Sequence, residues 1–80
     1  MTISTRNART MLYYLLFKMD MDFPSVQTRL IFDTETPPEV HMRSLLKAAF
    51  PVECTEDSTD DELDDFAMTL LPLAKVYSRD

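Results

Sequence analysis

Apolar positions recur at helical spacing in three stretches of the chain. In the first, Ala8, Met11, Leu12, Leu15, Leu16 and Met19 share one side, while Tyr13, Tyr14, Phe17 and Met21 form a second. Steps of three and four predict a helix, because a strand repeats every two residues. Tyr13-Tyr14 and Phe17 favour sheet, but the periodic pattern runs well past the length of an ordinary strand. A helix over about 5–21 follows, capped by Thr5 or Asn7 and preceded by a loose tail of residues 1–4. A helix apolar on two sides sits centrally in a bundle or also meets another chain.

Asp22-Phe23-Pro24-Ser25 breaks that pattern. Beyond it, Val26, Thr28, Leu30 and Phe32 alternate as in a strand, whereas Val26 and Leu30 also stand four apart. With Ser25 as N-cap, a short helix over 25–32 is preferred. Thr36-Pro37-Pro38-Glu39 is a clearer start signal: Thr36 as cap, Pro37 at the first helical position, Glu39 closing a capping box. The helix is expected over 37–50. Val40, Met42, Leu45, Leu46 and Ala49 form its apolar side, Arg43 and Lys47 lie outside, and Pro51 ends it. Ser58 and Asp61 open a last helix over 58–77, with Leu63, Phe66, Ala67, Leu70, Ala74 and Tyr77 on one stripe. Pro72 is expected to kink or break it, since proline lacks the backbone donor and crowds the carbonyl four residues earlier. The reading is a small all-α domain of three or four helices, residues 1–80 forming one unit.

Composition sharpens this picture. The chain has no glycine. That removes the glycine-dependent phosphate loops and dinucleotide fingerprints, and the usual hairpin turns. An 80-residue chain buries only about 60% of its unfolded surface, so its own core is expected to be marginal and a homodimer would add apolar cover. Cys54 is the single cysteine, which excludes an internal disulfide and a thiolate zinc cage and points to a reducing cytoplasm. Arg6 and Arg9 ahead of Met11–Phe17 imitate a signal peptide, but Lys18 and Asp20 stand where small cleavage-site residues belong. The same apolar run is too short to span a bilayer.

Charge is concentrated. Net charge is −6, and between Glu53 and Asp65 eight of thirteen residues are acidic: Glu53, Glu56, Asp57, Asp60, Asp61, Glu62, Asp64 and Asp65. One account is local. Carboxylates at a helix start are stabilised by the macrodipole and by free amides, and the surplus keeps the protein in solution. The other account is recognition: Asp57, Asp60, Asp61, Glu62, Asp64 and Asp65 would face a protein partner with a Lys/Arg-rich surface. As a helix, residues 57–65 would carry about one carboxylate per 2 Å of rise, close to the charge spacing of duplex DNA at about 1.7 Å. The patch is too short to imitate a duplex fully. Direct nucleic-acid binding is not expected of so acidic a chain. The segment also resembles acidic activation segments in composition, although Leu63, Phe66 and Leu70 are needed for the core.

Chemistry beyond binding has little support. His41 and Cys54 are the one conceivable base and nucleophile, and Glu53 and Glu56 disfavour the Cys54 thiolate. His41 reads as a solvated surface residue. No segment fits a calcium loop, so no metal and no cofactor are expected. Tyr13, Tyr14 and Phe17 are the interface candidates of the first helix, because tyrosine buries a large area while its hydroxyl stays wet. The sequence thus predicts a small, cytoplasmic, non-catalytic interaction protein. It would dock an acidic and apolar surface on a basic partner, as an inhibitor or regulatory subunit of the kind phages and mobile elements use against nucleic-acid enzymes. The second expectation is an obligate homodimer pairing through the first helix, and the third a small Cys/His enzyme.

Overall fold

A computed structural model describes residues 2–19 and 35–78 of the chain. Among them are three α-helices and no strand: α1 over Thr5–Lys18, α2 over Pro38–Ala49 and α3 over Asp60–Ser78. The all-α expectation holds. The helix expected at 25–32 lies outside the described residues, as does the expected end of the first helix at Met21; α1 itself ends at Lys18.

Two contacts set the direction of α1 against α3. Near their starts, the Ile3 amide donates to Asp64 Oδ2 at 3.4 Å. Near their ends, the rings of Phe17 and Tyr77 lie 4.4 Å apart. The two helices therefore run the same way. α1 and α2 do likewise, because Thr5 Oγ1 donates to Glu39 Oε2 at 3.2 Å and the Lys18 ammonium stands 5.0 Å over the Phe50 ring. α1 packs on both other helices, and α2 meets α3 over a smaller area. Apolar cover on two sides thus places α1 centrally, as its pattern implied.

The core joins Met11, Leu12 and Leu15 of α1 to Met42 and Leu46 of α2 and to Leu63, Ala67, Leu71 and Ala74 of α3. Three details depart from the expected apolar stripes. Val40 and Tyr77 are exposed, and Leu71, absent from the expected stripe, is buried. Phe50 and Phe66 close one side edge-to-face at 5.1 Å.

The expected tail of residues 1–4 is corrected at Ile3, which is buried in this core. Burying such a side chain contributes about 1.5–3 kcal/mol, while ordering each backbone residue costs about 1–2 kcal/mol. The segment therefore needs its hydrogen bonds as well. Ser4, not Thr5 or Asn7, caps α1, its Oγ accepting from the Asn7 amide at 3.1 Å. At α2 the expected register is one residue early. Pro37 is the N-cap, Pro38 leads the helix, and no side chain caps it. Glu39 is drawn to Thr5 instead of closing a box with Thr36. α3 is not split at Pro72, which lies inside one continuous helix.

Candidate functional site

The acidic run is held on a frame of local hydrogen bonds. The Cys54 amide donates to the Phe50 carbonyl at 2.7 Å, and Ser58 and Thr55 form a small closed turn: the Ser58 amide donates to the Thr55 carbonyl at 3.1 Å. The Thr55 amide donates to Ser58 Oγ at 3.0 Å, and the Asp57 amide to Thr55 Oγ1 at 3.3 Å. The side chains of Ser and Thr bond neighbouring backbone in just such turns, so no glycine is required.

The helix start follows at once. The Glu62 amide donates to Thr59 Oγ1 at 3.2 Å, and the Thr59 amide donates to Glu62 Oε1 at 2.8 Å. This is a reciprocal capping box. It replaces the expected Ser58–Asp61 start, one residue upstream. Glu62 is therefore a helix-capping group as well as an exposed carboxylate. Asp60, Asp61 and Glu62 occupy the first turn of α3, where the helix dipole favours negative charge.

Asp64 departs from its expected role. It is 1% exposed and faces inward, accepting from Arg43 Nε at 3.0 Å and Arg43 Nη2 at 2.9 Å. A carboxylate this buried cannot meet a partner, so Asp64 leaves the set of docking residues. Arg43, expected outside, reaches back to it and is only partly exposed. Bidentate geometry is the strong form of an arginine–carboxylate pair. Breaking such a buried pair by removing one member costs about 3–5 kcal/mol, because the other charge is left uncompensated. The hydrogen bonds that Arg43 donates to Asp64 come first in raising the Arg43 pKa. The charges of Asp64, Asp60 and Glu39 add to them, against the opposite pull of partial burial.

The remaining docking candidates stay at the surface. Glu53, Glu56, Asp57, Asp60, Asp61, Glu62 and Asp65 are all exposed. Asp60, 76% exposed, lies 3.6 Å from Arg43 Nη1. The apolar run behind them mostly turns away: Leu63, Ala67 and Leu71 are buried, and Phe66 and Leu70 pack on the core. One exposed apolar residue borders the run in sequence. Val52, beside Glu53, is 84% exposed. It lies in the turn between α2 and α3, where sequence periodicity gives no signal.

The aromatic candidates separate. Tyr13 and Tyr14 are half-buried, and Phe17 is exposed. Tyr14 packs on the core, and its ring lies 5.4 Å from that of Tyr77. Phe17 and Tyr77 share the far end of α3 with exposed Leu73 and Val76. From Asp61 to Val76 the helix rises about 22 Å, so the acidic and aromatic surfaces are distinct.

The catalytic pair gains nothing from the fold. Cys54 is buried, and burial followed by the charge of Glu53 pushes its thiol pKa up, away from the thiolate a nucleophile needs. His41 is half-buried rather than freely solvated. Among the described residues no group of three His, Cys, Asp or Glu side chains is placed to hold a metal ion. No helix among them is long and apolar enough to cross a membrane. Comparison with protein-family models, with curated proteins and with solved structures gave no match.

Proposed function

We propose that the chain is a small, non-catalytic interaction protein that docks its acidic end on a protein with a Lys/Arg-rich surface, acting as an inhibitor or regulatory subunit. One observation carries this reading. Seven carboxylates between Glu53 and Asp65 are exposed, and an exposed apolar side chain, Val52, immediately precedes them in the chain. Arg43, 3.6 Å from Asp60, makes its two hydrogen bonds to the eighth carboxylate, Asp64. Clustered charge of one sign steers encounter with an opposite surface, and an apolar contact next to it slows dissociation.

Affinity capture at low and high salt, followed by mass spectrometry, tests this. Proteins with basic surfaces should be enriched and released as salt rises, because exposed charges are screened over about 10 Å at 0.1 M. A triple variant, Asp57→Asn, Asp61→Asn and Asp65→Asn, should lose them while still melting cooperatively, with a small loss of stability on the order of the 0.3–1 kcal/mol that a first-turn carboxylate contributes. Capture that ignores both salt and these substitutions would sink the reading.

A second reading rests on the opposite end. Exposed Phe17, Leu73, Val76 and Tyr77 would pair two copies of the chain through α1 and α3, leaving the carboxylates to capping and solubility. Sedimentation discriminates: a dimer abolished by Leu73→Ser and Val76→Ser favours this account, and a monomer at high concentration excludes it.

A further inference from the structure

We infer that the part of α3 beyond Pro72 is a strap, which opens as a unit about Pro72 and is latched shut by Tyr77 on Phe17 and Tyr14. The backbone supplies the hinge. Pro72 has no N–H, so the hydrogen bond that would tie it to the Met68 carbonyl is missing, although the helix continues to Ser78. Packing changes at the same place. Leu71 is buried, whereas Pro72, Leu73, Lys75, Val76 and Tyr77 are exposed, and among the described side chains beyond Pro72 only Ala74 enters the core. An alanine gives the last turns little apolar anchorage. The latch is aromatic: the Tyr77 ring lies 4.4 Å from Phe17 and 5.4 Å from Tyr14.

Segments with few buried apolar contacts open at lower free energy than the core, as cooperative units. Opening here breaks the helical bonds that cross Pro72 and, among the described residues, the contacts of Ala74 and the Tyr77 ring, and leaves Leu63, Ala67 and Leu71 in place. It also releases the ring faces of Tyr14 and Phe17 that the closed strap occupies. Tyr77 is thus an internal competitor for any partner that binds those faces. The strap is independent of the acidic end and does not need that docking reading to hold.

Native-state amide hydrogen exchange on the full chain tests this. The amides of Leu73, Ala74 and Lys75, whose helical bonds reach back across Pro72 to residues 69–71, should exchange together, about tenfold or more faster than those of Leu12, Leu15, Leu63 and Ala67. Phe17→Ala, a change on the other helix, should speed the strap amides about tenfold further and leave those of Leu63 and Ala67 within about twofold. Tyr77→Ala should do the same from the strap's side, and Pro72→Ala should slow the strap toward the core. Phe17 and Tyr77 are both about half exposed, so these variants keep the fold. Exchange graded toward Ser78 and unmoved by Phe17→Ala would mean simple end-fraying and overturn the proposal. Strap amides that exchange at the core rate would overturn it equally.

Discussion

The two halves of α3 use the same helix in opposite ways. Its first turns are rich in charge yet firmly tied, by the Thr59–Glu62 box, the Arg43–Asp64 pair and buried Leu63. Its last turns are rich in apolar residues yet loosely tied, with Leu73 and Val76 in solvent and Tyr77 held by ring contacts. Polarity therefore does not report how well a segment is anchored. Partners do: a charge with two hydrogen bonds in a dry site fixes a helix, and a leucine facing water does not.

The strongest way to break this contrast is at the buried pair. Arg43→Ala should cost about 3–5 kcal/mol in urea unfolding, since Asp64 is left charged and dry. The double variant Arg43→Met, Asp64→Leu should recover most of that loss, because an apolar pair of similar volume removes the stranded charge. A double variant as unstable as the single would show that the arginine acts through more than charge.

One residue type placed in both halves sharpens the comparison. Leu63→Ala removes a buried side chain and should cost about 2–5 kcal/mol. Leu73→Ala, at 55% exposure, should stay within about 0.5 kcal/mol of the parent. Equal losses would mean that Leu73 is covered. Next in size is the cap. Thr59→Ala should cost about 1 kcal/mol, and Ser58→Ala less, because Ser58 serves the turn and not the helix.

The smallest expected effect is on pH dependence. The Cys54 pKa is raised by burial and by Glu53, so the folded state holds the thiol proton more tightly than the unfolded chain. Its contribution is complete below the unfolded thiol pKa and is lost as pH rises through the folded one. Cys54→Ala should flatten the alkaline fall in stability slightly. Alkylation of native Cys54 should also be slower than in urea and require higher pH. Equal alkylation rates folded and unfolded would remove this account.

Much of the fold was legible in the residues. Spacing together with cap and proline signals placed α1, α2 and α3, and the two apolar sides of α1 offered its central position as one of two readings, contact with another chain being the other. The starts were misread by one residue at Pro37 and Thr59, and by one or three at Ser4, where Thr5 or Asn7 was expected, because adjacent Ser, Thr and Pro compete for one cap and only backbone geometry decides among them. The site was less legible. Composition grouped Asp64 with its neighbours, yet Asp64 is three residues before Ala67 and seven before Leu71, on the edge of the buried arc. Arg43, three before Leu46, sits likewise on α2. Those two positions were the available signal. Their pairing could not be read, since it depends on how α2 meets α3, across 21 residues of sequence. Val52 gave no periodic clue at all, because it lies in a turn.

The shared direction of α1 and α3 has a practical result. Anything joined ahead of Ile3 emerges beside Asp64 and the carboxylates, whereas anything joined after Ser78 emerges beside Tyr77. An affinity tag or surface tether thus chooses which end is masked: immobilisation through the C-terminus presents the acidic end, and through the N-terminus the aromatic one. Tethering the same protein both ways should give two different sets of captured molecules.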